Sequence, residues 1–419
     1  AVFLLGSVLC GLAWSMPALI AFRALQGIGA GAVQPMSMTV VGDLYTVEER
    51  AKVQGYLASV WGIASVLGPT LGGVFSQYVS WRWIFFVNLP LGIVAAVVLA
   101  RRFRENVTQR KSHRIDYAGA ALLTVGCSLL ILGLLQGGVS WAWTSLPSIG
   151  IFVVAVALLA VFVLVETRTD EPVLPLWVFG RRVLIGGNLA TVGIGALLIG
   201  LSSYVPTFVQ GVLGAGALVA GFALAALTVG WPLSATFAGR IYLRIGFRST
   251  ALVGAVIVIA GALLCAMLPE HAHVWQAGGA CFVVGVGLGL TASPTLVAAQ
   301  SVVGWDRRGV VTGTNMFSRS IGSAVGAAVF GAIANSTLAA RFAHPPAAVS
   351  AALGGRGVDA TGLVLGGSLP SGNSGVATFV RDALYAASHH VFLALVVVAV
   401  LAGSALLLMP HRTEELVFD

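Results

Sequence analysis

Two arginines, Arg23 and Arg319, stand inside long apolar stretches, and their chemistry constrains the rest of the chain most. An Arg carried to the centre of a bilayer costs ~2.5–3.5 kcal/mol on insertion scales, so each should face a wet cavity or a partner. Gln26 follows Arg23, and Asn315 precedes Arg319, by about one helical turn, which puts an amide beside each charge. Two bland readings stay open. Arg23 lies only a few residues beyond Pro17 and could snorkel to the outer interface. Arg319 could be a charge buried in helix packing rather than a cavity residue.

Proton transfer across a membrane needs a group that titrates while facing both sides, and acids usually provide it. Asp43, Asp116 and Glu166 all fall at the ends of apolar segments, so none is in place for that task. His113, His271, His273, His344, His389, His390 and His411 fall in loops or at segment ends, where interfacial or solvated positions are expected. Cys10, Cys127, Cys265 and Cys281 lie within apolar runs without metal-ligand spacing, so neither a disulfide framework nor a metal site is indicated. No paired acidic motif, ligand cluster or nucleophile with its base emerges, which argues against an enzyme.

The elements that hold these residues follow from composition. Charged residues are 9% of the chain and apolar residues 58%, where a soluble protein would carry roughly a quarter charged. Apolar runs near the ~20 residues needed to span hydrocarbon recur, and spans without aqueous partners for backbone amides must be helices or closed barrels. Runs of this length are too long for barrel strands, so the expected class is an all-α integral membrane protein. Twelve segments are expected, at 1–16, 17–44, 54–79, 83–100, 117–138, 146–166, 183–209, 216–239, 249–268, 274–300, 309–334 and 388–409.

The net charge of +8 does not point to nucleic acid, because 21 of the 23 basic residues follow alternate loops and the other two, Arg23 and Arg319, lie inside apolar segments. Seventeen fall in one set of loops, including the cluster from Arg101 to Arg114, and four in the other. By the positive-inside bias the richer set and both chain ends are cytoplasmic. Arg outnumbers Lys by 21 to two, as in GC-rich bacterial genomes, so a bacterial plasma membrane is expected.

An internal repeat orders the segments. Adding 258 carries Gly27, Gly29 and Gly31 onto Gly285, Gly287 and Gly289, then Arg50, Gly55, Gly68 and Gly73 onto Arg308, Gly313, Gly326 and Gly331. The repeat pairs the second and third segments with the tenth and eleventh, an offset of eight. Two six-helix copies then require two more helices ahead of Ala1 and leave two inserted helices in the centre. The expected domains are 1–100, the last four helices of a first bundle; 101–182, a basic linker and the insert; and 183–419, a six-helix bundle with an outer loop at 335–387.

Several motifs resemble the major facilitator superfamily and, within it, the fourteen-helix drug and proton antiporters. Leu19 to Pro35, LIAFRALQGIGAGAVQP, resembles the family's Arg followed by Gln-Gly-x-Gly; its glycines sit within an apolar span, so they read as helix packing rather than a nucleotide loop. Gly68, Pro69, Gly72 and Gly73 resemble the antiporter motif Gly-Pro-x-x-Gly-Gly, in which Pro bends the helix and the glycines admit a close neighbour, against a plain kink with glycine packing. The run from Ser80 to Gly92, SWRWIFFVNLPLG, is also typical of those antiporters. Gly239, Arg244, Gly246 and Arg248 resemble the second-half cytoplasmic loop motif, with Leu243 where the motif has an acid. Asp43, with Glu48, Glu49 and Arg50, resembles the fourth-to-fifth loop and is read as a cytoplasmic gate contact or a solvated helix end.

The resemblance implies a proton-coupled exporter of hydrophobic or cationic small molecules, working by alternating access between two bundles. It assigns proton coupling to Arg23, with the titratable acid in a helix ahead of Ala1. No cofactor is expected beyond the proton gradient, and the expected partners are substrate, protons and membrane lipids, with no nucleic acid and a monomeric state. Export of an endogenous lipid, siderophore or peptide on the same fold is the alternative. A membrane enzyme or a channel fits less well, since no filter signal is present.

Overall fold

A computed structural model describes residues 1–45, 75–102, 116–137, 141–169, 172–304, 307–343, 346 and 374–410, with isolated residues between 49 and 71. Among these, ten helices are long and apolar enough to cross a membrane, and a ten-residue apolar helix precedes them. The expected segment at 54–79 is described only in part, as scattered helical residues up to Leu71; its end, Phe75–Val79, is a short π-helical turn.

The chain forms two compact units. The first comprises Ala1–Leu44 and Ile63–Ile115. Here α1 (Val2–Gly11) packs along α2 (Met16–Leu44) and touches α3 (Trp83–Phe86) and α4 (Asn88–Arg102). Lipid tails are as apolar as leucine, so these helices gain little from hydrophobic burial and depend on close fit. Glycines supply it: a Cβ at Gly6 would meet the Gln26 backbone, one at Gly29 the Phe3 backbone, and one at Gly11 the Phe86 ring.

The second unit comprises Tyr45–Gly62 and Asp116–Asp419. It begins with a hairpin of α5 (Tyr117–Gln136) and α6 (Leu146–Glu166), capped where the Asp116 carboxylate accepts the Gly119 N–H at 2.8 Å. These are the two helices expected as a central insert, and α5 packs against the helix Arg308–Phe342 of the same unit. Six helices follow: α7 (Arg182–Gly211), α8 (Ala217–Ile245), α9 (Phe247–Ala266), α10 (Val274–Ser301), α11 (Arg308–Phe342) and α12 (Ser374–Ala405). Within them α10 lies between α8 and α9, and α7, α11 and α12 pack mutually around Phe208, Phe330 and Phe392, each 1% exposed or less.

Two boundaries differ from the sequence reading. Helix α8 runs on through Ile245, because Tyr242 turns inward (2% exposed) and keeps the amphipathic pattern alive to Gly246. That glycine has φ +88°, a conformation other residues rarely adopt, and it makes the turn into α9. The outer loop expected over 335–387 is shorter at both ends. Helix α11 continues to Phe342 without a Pro or Gly to stop it, and α12 starts at Ser374. Val376, Val380, Ala383, Leu384, Ala387 and Val391 in α12 are buried at helical spacing, so this stretch folds as an amphipathic helix rather than a loop.

Candidate functional site

The first unit assembles a polar chain around Gln26. This side chain, 4% exposed, donates from Nε2 to Ser7 Oγ at 2.6 Å and accepts at Oε1 from Arg23 Nη1 at 2.8 Å. The Cys10 thiol points at the same Oε1 from 3.9 Å. The Arg23 guanidinium also stands over the Phe85 ring at 5.8 Å, a cation–π distance. The chain is possible because Gly6 and Gly29 bring α1 against α2, within reach of Ser7. Arg23 is thereby held one turn from Gln26 on α2, and the arrangement can fix the direction of an exposed guanidinium on the surface of an apolar helix pair. Ser7 and Phe85 were not singled out in the sequence; a Ser within an apolar segment was the available signal for the first.

In the second unit α7 and α11 meet through a polar ladder. Asn315 Nδ2 donates to Thr191 Oγ1 at 2.8 Å and to Asn188 Oδ1 at 3.4 Å, and Ser323 Oγ donates to Gly195 O at 3.1 Å. Asn315 and Thr191 are 6% and 4% exposed. Interhelical hydrogen bonds of this kind average about 0.6 kcal/mol and reach ~2. The crossing is tight, since a Cβ at Gly195 would meet the Arg319 backbone and one at Gly322 the Val192 backbone. Arg319 is partly buried one turn from Asn315 on α11. Asn188 and Thr191 escaped the sequence reading although two polar residues three apart in an apolar span mark one helix face.

Other expected residues fall as follows. Arg244 lies in the last turn of α8, where a cation complements the helix dipole, and Leu243 beside it is 51% exposed. Gly239 is buried in α8 and Arg248 starts α9, so the motif spans a helix end, a turn and a helix start. Arg23 and Asp43 are both in α2 but about twenty residues, or roughly 30 Å, apart along it, and do not form one site. The side chain of Asp43 and residues Arg50, Pro69, Gly72 and Gly73 lie outside the described residues; Gly68 is described and exposed. All four cysteines are free and buried, and the described residues hold no group of three or more His, Cys, Asp or Glu placed for a metal. Glu166, 4% exposed, accepts the N–H groups of Val173 and Leu174 at 3.1 and 3.3 Å and so anchors the linker toward α7.

The repeat can be compared helix by helix. A Cβ at Gly287 would meet α9 at Val258 as one at Gly29 would meet α1 at Phe3, so the pair α1–α2 corresponds to α9–α10. Gly285 and Gly289 press on α8, at Leu227 and at Trp231 with Ser234. Their counterparts Gly27 and Gly31 are exposed, with no described atom within 4 Å of a Cβ placed there.

Residues 1–327 match the sequence model of the Major Facilitator Superfamily. Multidrug resistance protein 3 of Bacillus subtilis (strain 168) is 35% identical over 332 residues, 79% of this chain and 64% of the relative. Multidrug transporter protein MdtP of the same organism is 34% identical over 334 residues, 80% of this chain and 62% of the relative. The chain thus spans less than two thirds of the length of these relatives. A crystal structure of the human organic anion transporter MFSD10 (TETRAN) is alike in fold, with TM-score 0.55 at 14% identity over 95% of this chain and 75% of that one.

Proposed function

This chain belongs to the Major Facilitator Superfamily, and from that premise we propose that it forms part of a proton-coupled exporter of hydrophobic or cationic small molecules. It is a multi-pass membrane transporter rather than an enzyme. The observation that carries the proposal is the hydrogen-bonded chain Arg23–Gln26–Ser7, which ties an exposed, directed charge to a buried amide and hydroxyl in an otherwise apolar helix pair. Such a group stabilises a deprotonated partner when one approaches and loses that advantage when the partner takes a proton, which is what coupling requires. Relatives named as multidrug proteins support the substrate class.

The fourteen-helix reading rests on the repeat offset of eight helices and on the contrast between Gly285 and Gly289, packed on α8, and the open Gly27 and Gly31. In this reading a helix ahead of Ala1 takes the place of α8 in the first bundle, and another supplies the titratable acid. The transport mode is alternating access, with coupling and cavity roles for Arg23 and Gln26 in the first unit and for Asn315 and Arg319 in the second. Gly68, Pro69, Gly72 and Gly73 form the hinge, and Asp43, Arg50, Gly239, Arg244, Gly246 and Arg248 the cytoplasmic gate. The protein works as a monomer in a bacterial plasma membrane with its C-terminus cytoplasmic.

Liposomes holding the chain extended by its preceding helices should expel a lipophilic cationic dye when an inward proton gradient is imposed. Dye movement that ignores the gradient would remove proton coupling. The 419-residue chain alone should insert but leave the dye in place. Orientation has its own check. A cysteine placed at Ser374 should react with an impermeant thiol reagent from outside intact cells, and one at Ser112 only after permeabilisation; the reverse pattern would invert the topology.

A further inference from the structure

One end of the second unit gathers its charges around a cavity of about 310 Å³. Glu270 from the α9–α10 connection, Arg341 from the last turn of α11, and Asp382, Tyr385, His389 and His390 from α12 line it. In a chain with 9% charged residues, this is a concentrated mixture of carboxylates and cation. The lining is held in place: Tyr385 OH donates to Leu268 O at 3.3 Å and its ring stacks on His389 at 5.7 Å, while His390 Nδ1 contacts Thr337 Oγ1 at 3.1 Å. The volume sits at the lower end of ligand pockets, so it suits a small polar group rather than a drug-sized compound.

The position says which polar group. The apolar part of α12 begins at Val391, directly after His389 and His390, so the cavity lies at the level where helices leave the hydrocarbon and lipid headgroups begin. An exposed apolar stripe descends from it on the same helix face: Leu393 is 45% and Val397 58% exposed, at three and seven residues from His390. At the C-terminal cap of α9, Met267 is 76% exposed, three residues from Glu270. A charged cavity above an apolar stripe has the form of an amphiphile.

We propose that this cavity binds a phospholipid bearing a primary-ammonium headgroup, phosphatidylethanolamine in chemistry. Its ammonium donates to Glu270 and Asp382, its phosphate accepts from Arg341, and its acyl chains lie on Leu393, Val397 and Met267. The two carboxylates need N–H donors, which a primary ammonium has and a choline headgroup lacks. A glycerol headgroup offers Arg341 a phosphate but leaves the carboxylates without a cation.

The test is native mass spectrometry of the purified 419-residue chain with short-chain phosphatidylethanolamine, phosphatidylcholine and phosphatidylglycerol, each titrated separately. Ethanolamine lipid should bind about tenfold more tightly than the other two, and Asp382→Asn or Glu270→Gln should each remove most of that margin, the loss of one hydrogen bond between charged groups. The two variants are independent, and thermal unfolding identifies any that misfolds. Soluble phosphoethanolamine should compete at least tenfold less well than the lipid, because it lacks chains for the stripe. Equal binding of the three lipids, or an undiminished margin in both variants, would overturn the site; phosphoethanolamine binding as tightly as the lipid would overturn its assignment to a membrane lipid.

Discussion

Arg23→Lys in the extended, transporting protein is expected to lower gradient-driven efflux by roughly tenfold to a hundredfold while substrate binding changes by less than about threefold. The magnitude follows from the ~1.5–3 kcal/mol of a hydrogen bond to a charged group, here the 2.8 Å contact from Arg23 Nη1 to Gln26 Oε1. Lys keeps the charge but presents a single rotating ammonium. It cannot hold Gln26 with one edge, lie over Phe85 at 5.8 Å and still offer a second edge to an incoming carboxylate. Ser7→Ala is the comparison. It removes one neutral interhelical bond, worth about 0.6 kcal/mol, and should reduce efflux by no more than about threefold. Efflux under an imposed pH gradient, with binding followed by tryptophan quenching, separates the two quantities. Unchanged coupling in Arg23→Lys, or equal losses in both variants, would take Arg23 out of the mechanism and leave the cluster as helix packing.

What the sequence revealed, and what it hid, divides along the reach of each physical signal. Length and apolarity are local, so most helices could be placed from them, and the glycine repeat announced α2 and α10 as related packing surfaces. Interhelical partners are not local. Gln26 could be seen beside Arg23, but its buried bond to Ser7 depends on Gly6 bringing two backbones together, which no spacing reports. In the same way Asn315 was visible as a polar residue in α11, whereas Asn188 and Thr191 matter only because Gly195 and Gly322 let α7 reach it. The start of α12 was missed for a different reason. Arg381, Asp382 and two histidines lower its hydropathy, while its buried face at Val376, Val380 and Leu384 follows the helical period that a hydropathy window averages away.

The repeat itself leads to an expected result of comparable size. Gly289→Leu should lower the unfolding midpoint of the 419-residue chain by on the order of 5–10 °C or prevent recovery of folded protein, whereas Gly31→Leu should not lower the midpoint and should raise it by up to about 4 °C. These residues are counterparts in the two copies, yet a side chain at Gly289 must displace Trp231 O and Ala235 N, which are backbone of α8 and cannot rotate away. Overpacking of this kind costs ~1–3 kcal/mol or more, and each kcal/mol moves the midpoint of a large unit by ~2–4 °C. At Gly31 a Cβ meets no described atom within 4 Å, and the exchange even favours the helix by the ~0.8–1 kcal/mol that separates glycine from good helix formers. If a helix ahead of Ala1 packs there as α8 packs on Gly289, the same Gly31→Leu change in the extended protein should become as damaging as its counterpart. Thermal unfolding of both variants in both chain lengths provides the four values needed. Silence of Gly31→Leu in the extended protein would refute a helix at that face, and a loss already present in the 419-residue chain would mean that another part of this chain occupies it.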